Sequence, residues 1–326
     1  MLFVAPREVA VRSAPLPVPV PGEALVATIV SAISAGTELL VYRDEVPADM
    51  ALDANIASLA GSFGYPLSYG YCAVGRVVAV GAQVDGPWLD RLVFALHPHE
   101  SHFTAPTHEL EPVPDGTSPD DAALFAAMET AVTLVLDGRP LVGERVAVLG
   151  QGTVGLLTTA LLASFPLAEL VTVDAHPLRR ELSRELGADR ALDPVAARAA
   201  PDGDVDLCYE LTGDPTALDD AIARTGFHGR VVIGSWYGSR RAPVSLGGAF
   251  HRSRIRISSS QVSTIDPALT GRWSRERRRA QAWRSLAQIG PARLITHRFA
   301  LADAAAAYEL LDQRPHEAVQ VLLTYD

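Results

Sequence analysis

The stretch GQGTVG, Gly150 to Gly155, carries the plainest chemistry in the chain. Its G-x-G-x-x-G spacing follows an apolar run, RVAVLG, and opens a helical one, the setting in which the motif has meaning. Gly150 permits a tight turn there. Gly152 lets backbone approach a pyrophosphate with no side chain between, and Gly155 lets the helix lie against the strand. Thr153 and Val154 occupy the first helical turn, whose free N–H groups receive phosphate charge. The pattern points to a dinucleotide. Asp174 ends the next apolar run, LVTVD, about 20 residues on. A carboxylate at that place accepts hydrogen bonds from an adenosine ribose and repels a 2′-phosphate, which favours NAD over NADP. Two other readings stay open: Arg179, with Arg180, could receive that phosphate, and Asp174 could cap the helix that begins near Pro177. Gly234, Ser235 and Trp236 follow the run RVVI and are expected on the carboxyl edge of the sheet, lining a nicotinamide pocket. Trp236 would serve equally as a domain-interface aromatic.

Other reactive residue types are sparse. Cys72 and Cys208 are the two cysteines, too few for a disulfide framework or a four-cysteine zinc site, and they suit a reducing, cytoplasmic setting. The chain contains no lysine, which excludes Schiff-base chemistry through that residue. The segment ALHPHESHF offers His97, His99 and His102, but Pro98 interrupts it and no Cys or Asp set matches it, so a metal there is a weak reading. His251, with Arg252 and Arg254 beside it, could hold an anionic substrate group. A basic run, Arg272 to Arg284, reads as a solvated helix face. The formal net charge of −10 argues against a nucleic-acid partner. No apolar run approaches the roughly 20 residues a membrane helix needs, and the N-terminal stretch, broken by Pro6, Arg7 and Glu8, lacks the apolar core of a signal peptide.

The elements that must position these residues fall into three blocks. To about Asp115 the chain is β-rich, with GEALVATIVSAIS, GRVVAVGAQV and DRLVFALHP alternating apolar with small or polar residues. That pattern predicts a partly open barrel. From Ser118, where Pro119, Asp120 and Asp121 suit a helix start, strands and helices alternate. Near-continuous apolar strands of this kind form a parallel sheet covered on both faces. From about Arg293 short strands and one helix return. The fold class expected is α/β, with residues 1–117 and 293–326 as a β-barrel domain and 118–292 as a doubly wound dinucleotide-binding domain.

With these motifs in hand, the chain resembles the medium-chain dehydrogenase/reductase superfamily over nearly its whole length. The resemblance rests on SAISAGTELLVYR, YPLSYGYCAVGRVVAVG, LDRLVFA, the GQGTVG helix, VDAHPLRRELSRELGAD and THRFALADAAAAYELL. It implies a GroES-like barrel beside a Rossmann domain, hydride transfer with a nicotinamide, and a homodimer joined near Arg254 to Gln261. Zinc-dependent members carry a cysteine in an early C-G-T-D-like segment and a histidine in a G-H-E segment. Here those segments read Ala35-Gly36-Thr37-Glu38 and Gly70-Tyr71-Cys72, and only Glu129 stands where some members have a carboxylate ligand. One ligand position does not make a catalytic zinc site, which needs about three. The resemblance is therefore to a zinc-free member, similar to the bacteriochlorophyllide dehydrogenase branch.

In that reading Thr37 matches the family's hydroxyl relay, and Tyr71 stands where the metal-binding histidine would stand. Glu38 and Glu129 are carboxylates without a metal to neutralise them, and His97 is a proton-relay candidate. Cys72 is a small apolar filler. The function expected is NAD-linked interconversion of a secondary alcohol and a ketone on a ring-containing or bulky small molecule. An NADPH-dependent quinone or enoyl reductase and a non-catalytic NAD(H) sensor are the alternatives. The segment Asp44 to Phe63 is expected to shape the pocket.

Overall fold

The computed structural model describes residues 1–47, 49–52, 56–59, 61–199, 205–241 and 244–325. The residues left out include part of the expected pocket-shaping segment, which to that extent lies outside the described residues. The chain divides into two compact units, one of residues 1–126 and 290–326, the other of 127–289.

In chain order the first unit supplies β1 (Leu2–Ala5), β2 (Glu8–Ala10), β3 (Glu23–Ala32), α1 (Ala35–Tyr42), β4 (Ala73–Val80), β5 (Leu92–Ala95), β6 (His102–Pro106), β7 (Glu111–Pro112) and α2 (Pro119–Ala123). The helix α3 (Phe125–Gly138) then leads into the second unit. That unit holds β8 (Arg145–Leu149), α4 (Thr153–Leu162), β9 (Glu169–Val173), α5 (Pro177–Glu185), β10 (Arg190–Leu192), α6 (Pro194–Ala199), β11 (Val205–Glu210), α7 (Ala217–Arg224), β12 (Thr225–Ile233), β13 (Arg256–Ser259) and α8 (Arg275–Ile289). The chain returns to the first unit with β14 (Ile295–Ala300), α9 (Ala304–Gln313) and β15 (Gln320–Thr324).

The first unit is organised on a mixed sheet in the order β14-β15-β3-β4-β5-β7, with β6 also pairing β3. The ten-residue β3 is mostly buried and shares its edges with β15, β4 and β6. Its register shifts twice against β4, the local kinks that curl a sheet. One apolar cluster joins Val26, Val77, Val93 and Phe103 across these strands. A second joins Phe3, Ile33, Leu39 and Val41 to Tyr308, Leu311 and Val321. The returning tail therefore completes this core rather than adding to it from outside.

The second unit is a six-stranded parallel sheet in the order β10-β9-β8-β11-β12-β13. Alternate residues of β8 serve opposite faces. Ala147 and Leu149 pack with Val173, Cys208 and Val231, while Val146 and Val148 pack with Leu134, Leu170 and Tyr209. Both faces being covered explains the near-continuous apolar strands.

The expected junctions at 117/118 and 292/293 fall instead after Ala126 and after Ile289. The reason is local packing. Phe125 meets Phe94 edge-on at 5.1 Å between ring centroids, and the Asp121 carboxylate accepts the Ala292 N–H at 2.8 Å. The helix expected from Ser118 is also two helices, broken at Leu124. Ser118 caps the first, its hydroxyl accepting the Asp121 N–H at 3.1 Å.

Candidate functional site

In the second unit β8 ends on the fingerprint turn. Gly150 has φ +89°, and a Cβ there would come within 2.5 Å of the Leu211 carbonyl. A Cβ on Gly155 would reach 2.0 Å from the Gly150 carbonyl oxygen, so the helix packs directly on the turn. Gly152, which begins α4, has open space where a side chain would stand. Thr153 and Val154 open the helix, and Val154 packs against the apolar cluster beneath. The wholly buried Gln151 props the turn: its amide donates to the Gly150 carbonyl at 3.1 Å and accepts from Thr159 at 3.0 Å.

Asp174 follows β9 and is buried. One carboxylate oxygen accepts the Gln151 N–H at 2.7 Å, and the other accepts the His176 N–H at 2.8 Å. It thus ties the fingerprint turn to the start of α5, with His176 in the cap position. Each oxygen keeps a lone pair for a ribose hydroxyl. Burial draws the Arg179 guanidinium below its ordinary value, and the charge of Asp174 opposes that. Arg180 turns inward and donates to the carbonyls of Asp174 and Ala175 at 2.8 and 2.9 Å. On the neighbouring carboxyl edge, Gly234 donates to the Glu210 carbonyl at 3.0 Å and Ser235 accepts the Gly213 N–H at 2.9 Å. Trp236 is half-buried beside them.

The first unit gathers hydroxyls at the start of α1. Ser34 is the cap residue, and its carbonyl accepts the N–H of Thr37 and Glu38 at 3.0 and 2.8 Å. Its hydroxyl makes no cap bond. It lies 2.5 Å from the Tyr71 phenol oxygen, and the phenol donates to Thr37 Oγ1 at 3.1 Å. Ser34, Thr37 and Tyr71 are half-buried. Burial pushes the Tyr71 phenol well up, so it stays protonated through the neutral range.

Beneath this trio lies a buried polar chain. Glu38 is fully enclosed, and a carboxylate without water needs donors. Ser34 N–H donates to its Oε1 at 2.7 Å; His99 Nε2 at 3.0 Å and the Tyr308 hydroxyl meet its Oε2. His99 Nδ1 lies 2.6 Å from Ser31 Oγ, itself 2.6 Å from the Tyr325 hydroxyl. A Cβ on Gly70 would stand 2.5 Å from the His99 ring, and Gly70 has φ +112°. That glycine makes the room His99 fills.

Four expected residues, Thr37, Tyr71, Glu38 and Asp174, therefore sit in dense hydrogen-bond networks. His97 does not join the phenol. It stacks on Phe103 at 4.0 Å, and burial pushes its pKa down to about 4. Its neighbour His99, two residues on, is the one drawn inward. Glu129 is held by Arg278, whose guanidinium donates at 2.8 Å and also reaches the Val262 carbonyl at 2.5 Å. Arg278 is buried, so the basic run is not wholly a solvated face. His251, Arg252 and Arg254 are exposed. Cys72 is buried and its thiol pushed up by that burial and by the charge of Glu38. Ser34, Ser31, His99 as a Glu38 partner, Tyr308 and Tyr325 were not foreseen as one cluster. The signal that could have found part of it was Gly70 before Tyr71, a glycine where the backbone must leave room.

Among the described residues no group of three His, Cys, Asp or Glu is placed to share a metal ion. Of the three positions where zinc-dependent members carry ligands, Ala35 has no donor atom, the Tyr71 phenol is bonded to Ser34 and Thr37, and Glu129 is held by Arg278. The residues present do not fit the metal.

Residues 153–276 match the family model described as zinc-binding dehydrogenase. The (R,R)-butanediol dehydrogenase of Bacillus subtilis (strain 168) is 30% identical over 235 residues, which cover 61% of this chain and 65% of that protein. The D-guloside 3-dehydrogenase of Escherichia coli (strain K12) is 23% identical over 228 residues, covering 67% and 65%. The chain thus spans just under two thirds of these relatives. Among solved structures, 2R,3R-butanediol dehydrogenase from Bacillus subtilis superposes with TM-score 0.78 at 19% identity, covering 100% of this chain and 99% of that one. An alcohol dehydrogenase from Escherichia coli CFT073, complexed with NADH, gives TM-score 0.79 at 20% identity, covering 99% and 98%. The chain has the two-unit fold of these alcohol dehydrogenases, and its residues 153–276 match the zinc-binding dehydrogenase family.

Proposed function

We propose that the protein is a zinc-independent, NAD-linked oxidoreductase that interconverts a secondary alcohol and a ketone on a small molecule. The observation that carries this reading is Tyr71, a protonated phenol held between the hydroxyls of Ser34 and Thr37. A nicotinamide, when bound, supplies or accepts the hydride. Gly150, Gly152, Thr153, Val154 and Gly155 would receive its pyrophosphate, and Asp174 its adenosine ribose. The buried carboxylate favours NAD; solved neighbours are described with NADH and with NADP.

The chain's own work is proton transfer. In reduction the Tyr71 phenol gives its proton to the oxygen of the carbonyl whose carbon takes the hydride. The phenolate so formed recovers a proton from water, relayed through the Thr37 or Ser34 hydroxyl. In oxidation the path runs backwards: the phenol's proton leaves through those hydroxyls to water, and the phenolate takes the alcohol's proton. Glu38, locked by three donors, fixes Ser34 and is kept from the substrate. The relatives act, by their names, on butanediol, sorbitol and a guloside, which supports a hydroxylated substrate. The reading includes a cytoplasmic setting for two free cysteines and a homodimer paired near β13.

The test is turnover of a panel of ketones and secondary alcohols with NADH or NAD. Tyr71→Phe and Thr37→Ala should each lose about 10²–10³-fold in kcat while NADH still binds. Full activity in both sinks the proton assignment. Metal analysis that finds one zinc per chain, with activity lost to a chelator, overturns the zinc-free reading. Tight NADH binding with no turnover across the panel would leave a sensor.

A further inference from the structure

Glu210, the last residue of β11, is wholly buried at the carboxyl edge of the parallel sheet. A carboxylate taken out of water there is costly unless donors surround it. Its Oε1 accepts the Thr212 N–H at 2.8 Å and the Thr212 hydroxyl at 2.5 Å. Its Oε2 accepts the phenol of Tyr237, a residue of the loop that follows β12. Burial and the Glu210 charge push that phenol up, which keeps it a donor. Two more ties run between the same loops. Ser235 accepts the Gly213 N–H at 2.9 Å, and Arg240 donates to the Gly213 carbonyl at 2.6 Å.

The position of this latch gives it a use. The strands β10-β9-β8 wind one way from the centre of the sheet and β11-β12-β13 the other. The loops after β8 and β11 therefore part at the switch point, where open α/β sheets bind ligands. The loop after β11 is also the surface on which the fingerprint turn rests, since a Gly150 Cβ would meet Leu211 and Thr212 at 2.5 and 2.6 Å. Glu210 thus ties one wall of the crevice to the segment Gly234–Trp236.

We propose that Glu210 and Tyr237 are positioning residues: their hydrogen bond fixes the two loops that receive the nicotinamide half of a dinucleotide, leaving the adenosine half to the turn at Gly150–Gly155 and Asp174. The proposal rests on the dinucleotide reading above and adds a division of labour within it.

The experiment titrates the full chain with NADH, by fluorescence, and with AMP, by calorimetry. The proteins compared are wild type, Tyr237→Phe, Glu210→Gln and the double variant. Tyr237→Phe should weaken NADH about tenfold, the scale of one lost hydrogen bond to a charged group, and leave AMP within about twofold. Glu210→Gln should lose less, because its amide can donate back to the phenol oxygen. The double variant should bind NADH no more weakly than Tyr237→Phe alone, since both changes break one interaction. Unchanged NADH affinity in Tyr237→Phe, an equal fall for AMP and NADH, or additive losses in the double variant each overturn the latch while the cofactor reading stands. Wild-type protein that binds neither NADH nor AMP overturns both.

Discussion

In the unit that holds Gly150 the candidate chemistry belongs to the backbone. Three glycines shape a turn at the start of a helix, and one carboxylate ties the turn down. In the unit that holds Tyr71 it belongs to side chains. Hydroxyls, an imidazole and a carboxylate meet from places as far apart in sequence as Tyr308 and Glu38, 270 positions, or Tyr325 and Ser31, 294 positions. The contrast teaches where each site is vulnerable. A backbone site fails when a side chain intrudes. A side-chain network fails when one member is removed and the others are left buried without partners.

The sharpest break in that comparison is at the glycines. Gly155→Val should abolish NADH binding, more than about 100-fold, and destabilise its unit, because the new atoms meet the Gly150 carbonyl. Gly152→Ala meets nothing in the structure, so it should melt like wild type yet bind NADH more weakly. Normal binding in both variants would mean that the turn does not hold a phosphate. Next in size, Glu38→Ala should cost about 3–5 kcal/mol of stability by stranding its three donors. Thermal unfolding checks it, and a shift of only a degree or two would show the network to be dispensable.

Smaller effects test the residues outside the networks. The His97 pKa is pushed down to about 4 from an ordinary value of 6.5. The unfolded chain therefore binds the proton more readily between those values, and stability contributed by the neutral ring is lost as pH falls through that window. His97→Gln should flatten the acid side of the stability curve by about 1–2 kcal/mol between pH 6.5 and 4, measured by denaturant unfolding. It should leave turnover near wild type; a large loss of kcat would return His97 to the proton path. The smallest effect belongs to Cys72→Ala. Its buried thiol should resist maleimide in the folded protein, and the variant should cost about 1 kcal/mol with unchanged kcat. Rapid labelling of the native protein would contradict that placement.

Much of the second unit was legible beforehand because its signals are local. GQGTVG, the apolar strands and Asp174 lie within one strand–helix–strand stretch, and backbone geometry follows from residue type at short range. The first unit was legible as β-rich chain, and Thr37, Tyr71 and Glu38 could be singled out. Their partners could not. Nothing in ALHPHESHF says that His99 turns inward while His97 stacks on Phe103, because a one-residue change of side along an irregular loop is decided by what packs against it. Glu129 was singled out as a carboxylate in need of a partner, but the partner, Arg278, lay in a run that reads as surface.

The sequence by itself determined the two-part α/β fold and the glycine fingerprint with an acidic residue after the next strand. Each depends on residue identity at fixed short spacing, where sterics and hydrogen-bond capacity leave few choices. Only the tertiary structure decided that Tyr71 stands between Ser34 and Thr37, that Glu38 is locked by His99 and Tyr308, and that Glu210 reaches Tyr237. Those pairings depend on which buried polar groups the folding of distant segments brings within about 3 Å. A group shut away from water takes whatever donor the packing delivers.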